Sequence, residues 1–161
     1  MEEQEVDTEK LNEMIHEKAH AITWAEKVAL TTALLAVLAA VSNLFSTHEA
    51  DQSILFKVEA SDQWNYYQAK GIKGMLAQNP ADRERYKQEQ EKIREVAEKA
   101  SEESHHAIHI HEYFAFAVTL FQVATAIGAI AVLTRRKYLW YGSLILGTAG
   151  LSMAIKALSL F

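Results

Sequence analysis

Four histidines, His105, His106, His109 and His111, crowd into seven residues and are followed at once by Glu112. Imidazole titrates near neutral pH and is a common metal ligand, so this cluster is where the chain's side chains come nearest to chemistry. His105 and His109 stand four apart, a helical spacing that presents two rings to one ion. If the chain folds back at Asn79-Pro80, residue 48 comes opposite residue 111. His48 and Glu49 would then meet His111 and Glu112. The chemistry implied is a juxtamembrane zinc site on His48, His105, His109 and His111, or a proton sensor. The competing reading is that the histidines only furnish a polar helix surface near lipid headgroups. His16 and His20 repeat the spacing, but among Glu13 and Glu17 they read as solvated surface.

Catalytic motifs are missing. There is no glycine-rich phosphate loop, no G-x-S-x-G and no H-E-x-x-H, so an enzyme is not expected. With no cysteine, disulfides and thiolate-bound metals are excluded. A net charge of −5 gives nucleic acid no purchase.

The elements that position the histidines are legible from charge. Val28 to Phe45, Phe114 to Leu133 and Tyr138 to Ile155 carry no charge until Lys156, whereas the stretch between the first two runs is rich in it. Each run is apolar all round and long enough for a bilayer core of roughly 30 Å. The expectation is an all-α integral membrane protein with three transmembrane helices, at 26–46, 113–134 and 138–158. An N-terminal amphipathic helix (1–25, with Leu11, Met14, Ile15, Ala19 and Ile22 on one face) precedes them. The first span is expected to persist as an anchor, because Glu2, Glu3, Glu5 and Asp7 replace the basic start of a cleavable signal.

Arg135, Arg136 and Lys137 form a short cationic loop between the last two spans, which is the kind retained in the cytoplasm. That places the N-terminus in the cytoplasm and the segment 47–112 across the membrane, periplasmic in a bacterial inner membrane. Tyr138, Trp140 and Tyr141 mark the interface, and Lys156 can snorkel at the far end.

Residues 47–112 read as a long extramembrane antiparallel helical, coiled-coil-like hairpin. Its turn is expected at 78–82, where Asn79 caps a helix with Pro80 first and Asp82 third. In the first arm Leu55, Val58, Ala69, Ile72 and Leu76 keep a heptad spacing, with Asp62 and Asn65 at the intervening seam positions. The return arm offers a thin stripe of Tyr86, Ile93, Val96, Ala97 and Ala100. Neither arm is apolar enough alone, so burial is expected from neighbouring subunits. Whether arms pair within or between chains stays open at this point. Trp64, Tyr66 and Tyr67 beside Asp62 and Asn65 read either as a partner surface or, preferably, as packing anchors.

Three stretches, Glu26 to Leu38, Ala60-Ser61-Asp62-Gln63-Trp64-Asn65-Tyr66-Tyr67-Gln68-Ala69-Lys70-Gly71-Ile72-Lys73, and Thr134-Arg135-Arg136-Lys137-Tyr138-Leu139-Trp140, together resemble an uncharacterised bacterial membrane family, domain of unknown function 4337. The resemblance runs from about Trp24 to the C-terminus. It implies an inner-membrane protein with this span arrangement and brings no activity or catalytic residue.

Within the spans, small residues recur at four-residue spacing: Thr32, Ala36 and Ala40; Ala124 and Gly128; Ser143 and Gly147; Gly150 and Ala154. Only Gln122, Thr125 and Asn43 read as pore-lining or helix-bridging groups there, and no acid sits mid-membrane. The function expected is a homo-oligomeric, lipid-embedded structural or interaction protein. The alternative is an oligomeric channel gated by pH or metal through the juxtamembrane histidines.

Overall fold

The computed structural model describes residues 8–161 of the chain, except for the side chains at 8, 9, 11 and 17–23. It consists of three helices, α1 (Thr8–Leu76), α2 (Pro80–Thr134) and α3 (Lys137–Leu158), with no strand among the described residues. All three contain a stretch long and apolar enough to cross a membrane. α1 runs from Thr8 to Leu76 without a break, so no separate N-terminal helix ends near residue 25. Met14 and Ile15 are exposed; Leu11, Ala19 and Ile22 of the expected amphipathic face lie outside the described side chains, and residues 1–7 outside the described residues.

Local chemistry explains the helix ends. The Asn79 side-chain carbonyl accepts from the Ala81 amide at 3.0 Å, and Arg83 N donates to Asn79 O at 3.2 Å. Pro80, whose missing amide costs nothing at a first helical position, follows the cap. The bend therefore falls on residues 77–79, slightly earlier than the 78–82 expected from sequence. At the other end of α2, Arg135 adopts φ 54°, Arg135 N donates to Val132 O, and Arg136 N reaches Ala131 O. These are the paired bonds of a Schellman stop.

The chain forms two compact units. One comprises residues up to Val41 with Ala117–Ser152; the other comprises Ser42–Phe116 with Met153–Phe161.

In the first unit the three apolar stretches meet along small residues. Val28 and Leu35 of α1, Ala117, Phe121, Ala124 and Ala131 of α2, and Ser143 of α3 are buried. Ser143 Oγ donates to Ala124 O at 2.7 Å, and Trp140 Nε1 donates to Thr31 Oγ1 at 3.1 Å. Gly128 packs against Thr32 and Ser143, Gly147 against Leu35, and Gly150 against the Phe121 ring. Of the expected small faces, those of α2 and α3 are buried. In α1 Ala36 and Ala40 face outward instead, because Leu35 and Ala39 occupy the inner positions. The outside is conspicuously apolar: Leu30, Leu34, Val37, Leu133 and Ile145 are all exposed, an arrangement water penalises and lipid does not.

In the second unit α1 contributes a face spaced alternately three and four residues apart. Ser42, Ser46, Glu49, Ser53 and Ala60 are buried, and Phe56, Gln63, Tyr67, Lys70 and Gly74 are half-buried between or beyond them. From α2, Ile93, Ala97, Ala100, Ser104, Ala107, Ile110 and Phe114 are buried. As contacts climb α1 from Ser46 through Ser53 and Tyr67 to Lys70, their partners in α2 fall from His111 through Ser104 and Gln90 to Glu89. Val96 of the expected α2 stripe is exposed, whereas Ile93, Ala97 and Ala100 are inside. At the end nearest the C-terminus, Phe45 stacks on Phe114 at 5.4 Å with Phe161 edge-on to both at 6.3 Å.

Candidate functional site

The face of α1 that meets α2 is not its most apolar one. Leu55, Val58, Ile72 and Leu76 are between 53 % and 76 % exposed, and Ala69, Asp62 and Asn65 on the same line are exposed too. The expected heptad seam thus points away from α2. Short side chains decide the matter: with Ser46, Ser53, Ala60, Gly71 and Gly74 on one helix and Ala97, Ala100, Ser104 and Ala107 on the other, the backbones approach more closely than a leucine seam allows. A Cβ added to Gly74 would lie 3.4 Å from Tyr86 Cβ, and one on Gly71 would strike the Gln90 amide at 2.6 Å. The aromatic cluster splits between the two faces. Trp64 and Tyr67 are half-buried and meet edge-to-face at 5.5 Å, while Tyr66 is exposed under the Lys70 ammonium.

Polar groups concentrate on the inner seam close to the apolar stretches. His111 Nδ1 lies 2.8 Å from Ser46 O and 3.0 Å from Ser46 Oγ. A carbonyl can only accept, so Nδ1 carries a proton and Nε2 holds the ring's free lone pair in the neutral form. One turn on, Glu49 is buried, and beyond it Ser104 Oγ donates to Ser53 O at 2.9 Å. Sequence reasoning missed this serine and glutamate line because it searched for apolar periodicity. The signal was present as Ser42, Ser46, Glu49 and Ser53 at heptad spacing.

The histidines do not converge. Ser46 takes the place expected for His48 opposite His111, because the earlier bend shifts the pairing; His48 itself is exposed. His109 stacks on Tyr113 at 5.9 Å, and His106 Nε2 contacts Leu160 O at 3.1 Å. His105 lines a groove of about 340 Å³ with Ile54, Lys57 and Ile108. Among the described residues, no group of three or more His, Asp or Glu side chains is placed to hold a metal ion. Lys156 sits over the Tyr113 ring at 4.7 Å.

Two cationic sites are built with more definition. In the loop between α2 and α3, Arg136 donates to the Tyr138 hydroxyl at 2.9 Å, Lys137 opens α3, and Arg135 occupies a left-handed position where glycine is usual. Retaining a cation there costs about 1 kcal/mol of backbone strain. In the second unit Lys70 ion-pairs with Glu89. That contact raises the lysine pKa above 10.5 and holds the Glu89 carboxyl below 4.5, in both cases first through their mutual hydrogen bond. Inside the apolar stretches the Thr125 hydroxyl donates to Phe121 O at 2.8 Å, whereas Gln122 is exposed on the surface of α2.

Set against known proteins, the family described as Domain of unknown function (DUF4337) matches residues 24–84 and again residues 76–160. No curated protein and no solved structure matches the chain.

Proposed function

The chain belongs to the DUF4337 family, whose function is unknown, and from that premise we propose that it is a non-catalytic, membrane-anchored scaffold that assembles through a second seam on α1. In this reading the three apolar stretches span a bacterial inner membrane, with Arg135, Arg136 and Lys137 on the cytoplasmic side. Residues 46–112 form an antiparallel, coiled-coil-like hairpin on the other side. Lipid surrounds the exposed apolar surface of the first unit.

The observation that carries the proposal is the exposed line Leu55, Val58, Asp62, Asn65, Ala69, Ile72 and Leu76, which keeps heptad spacing along α1 away from the face that meets α2. Two copies held in one membrane stand parallel and at the same height, so each residue of this line meets its own counterpart. A heptad line is satisfied by another heptad line, and a polar Asn65 layer fixes register and subunit number at some cost in stability. Gln122 adds support, since an amide on an otherwise apolar membrane-facing surface is costly until a partner satisfies it. It is also the feature that favours the second reading, a channel formed between copies, which recordings from planar bilayers test directly.

The scaffold reading is tested by disulfide trapping in native membranes, which the absence of native cysteine makes clean. Single substitutions Leu55→Cys, Val58→Cys and Ile72→Cys are expected to give covalent dimers under mild oxidation, and Glu95→Cys on α2 is not. Monomer at all three stripe positions, or dimers at Glu95→Cys to the same extent, would overturn it.

A further inference from the structure

Where α1 and α2 meet near the bend, a groove of about 330 Å³ is lined by Lys70, Gly71, Gly74, Arg83, Tyr86 and Lys87, with Gln90 and Met75 completing it. Three cations face this space and no carboxylate lines it. Of the acids nearby, Glu89 pairs with Lys70, Asp82 lies 3.3 Å from Arg85, Glu91 pairs with Arg94, and Glu84 accepts from the Gln88 amide at 3.5 Å rather than from Arg83 or Lys87. Arg83 and Lys87 have no ion pair among the described residues. Arg83 is nevertheless held in place, because its Nε donates to Ala77 O at 2.7 Å and leaves the terminal guanidinium nitrogens to reach another acceptor. Gln90 is anchored likewise, with Nε2 donating to Tyr67 O at 3.2 Å.

Two glycines within one turn of a helix are destabilising relative to alanine, so their presence calls for a reason. Close approach of the helices supplies part of it. The other part is space, since a larger side chain at Gly74 would project into the groove beside Tyr86.

We propose that this groove binds a phosphoryl group, with Arg83 and Lys87 as its charge partners and Lys70 and Gln90 bounding the site. Two cations without acidic partners match a phosphate monoester dianion, whereas a carboxylate would leave one of them uncompensated. The hydrogen bond from Lys70, helped by the charges of Lys70, Arg85 and Lys73, holds the neighbouring Glu89 carboxyl in its ionised form. The volume leaves room for a substituent beyond the phosphate itself. The phosphoryl group can belong to a soluble ester or to a lipid headgroup. The inference does not depend on whether copies associate.

The test uses the full chain in a phosphate-free sugar detergent, with binding followed by calorimetry at constant ionic strength set by sodium chloride. The probes are inorganic phosphate, glycerol 3-phosphate and dihexanoyl phosphatidic acid. Saturable binding with a Kd near or below ~1 mM is expected for at least one probe, weakened at least ~10-fold in the double variant Arg83→Gln, Lys87→Gln. Gly74→Leu, which keeps every charge, is expected to weaken it comparably by filling the space. Both substituted positions of the double variant are exposed, but Arg83→Gln gives up the bond to Ala77 O, so an intact fold is reported by wild-type helicity and a single cooperative unfolding transition without ligand, with the midpoint lowered only slightly. Tighter binding of phosphatidic acid than of glycerol 3-phosphate assigns the site to a headgroup, and equal binding assigns it to a soluble ester. Absence of saturation up to ~10 mM for all three probes, or undiminished binding in the folded double variant, overturns the proposal.

Discussion

Gly128 of α2 packs against Thr32 of α1 and Ser143 of α3 in the first unit, and replacing it with alanine tests that packing at a single atom. The new Cβ would lie 2.3 Å from Thr32 Cγ2 and 3.3 Å from Ser143 Oγ. Carbon atoms rest about 3.5–4.0 Å apart, so the helices or Thr32 must yield by more than ~1 Å. Thr32 is poorly free to do so. Its hydroxyl is shared between Val28 O at 3.0 Å and Ala29 O at 2.9 Å, and a rotation that moves Cγ2 away also swings Oγ1 off both. Ser143 is similarly fixed by its bond to Ala124 O. Overpacking of this kind costs about 1–3 kcal/mol, while alanine in place of a helical glycine returns about 0.5–1 kcal/mol. The net expectation for Gly128→Ala is a loss of about 0.5–2 kcal/mol. Thr32→Ser removes the colliding methyl and keeps the hydroxyl, so the double variant should recover most of the loss, with a coupling of about 1–2 kcal/mol in a double-mutant cycle. Reversible unfolding in mixed dodecyl maltoside and dodecyl sulfate micelles, followed by tryptophan fluorescence, measures all four corners. Gly142→Ala is the control, since nothing lies within 4 Å of its would-be Cβ. An additive cycle, or a Gly128→Ala protein as stable as the Gly142→Ala control, would refute the three-helix contact.

Other consequences follow from the same structure. Phe121 is fully buried with its ring against Gly150, so Phe121→Ala should destabilise by about 3–5 kcal/mol in the same assay. Arg135→Gly should raise stability by about 1 kcal/mol by relieving the positive φ while Arg135→Ala does not, a contrast that unfolding midpoints will show. The Lys70 and Glu89 pair should give a pH-dependent thermal midpoint with two flanks. Because the Glu89 pKa is lowered, its contribution is complete above 4.5 and is lost as pH falls through the lower folded value; because that of Lys70 is raised, its contribution is complete below 10.5 and is lost as pH rises through the higher one. Glu89→Gln should flatten the acid flank relative to wild type, and an unchanged flank would show that the pair contributes nothing.

Much of the candidate site was hidden for a definite reason. Apolar periodicity on α1 drew attention to Leu55, Val58, Ile72 and Leu76, and these residues do share a face. What periodicity cannot say is which of two heptad faces meets the helix that follows. Ser46, Ser53, Gly71 and Gly74 won that place because they permit close approach, although each buries little apolar area. The histidines show the same limit: counting from a fold at Asn79-Pro80 sets His48 opposite His111, and the bend at 77–79 puts Ser46 there instead.

The sequence by itself determined where α2 begins and which stretches can cross a membrane. Asn79-Pro80 acts through bonds to residues two to four positions away, and an unbroken apolar run of bilayer length needs no distant partner to be read. Only the tertiary structure decided which faces of those helices are covered, because Thr32, Gly128 and Ser143, or Lys70, Arg83 and Lys87, become neighbours through steric fit between separate helices. Such fit depends on how closely two backbones approach, a property of paired surfaces that one strand of residue types does not carry.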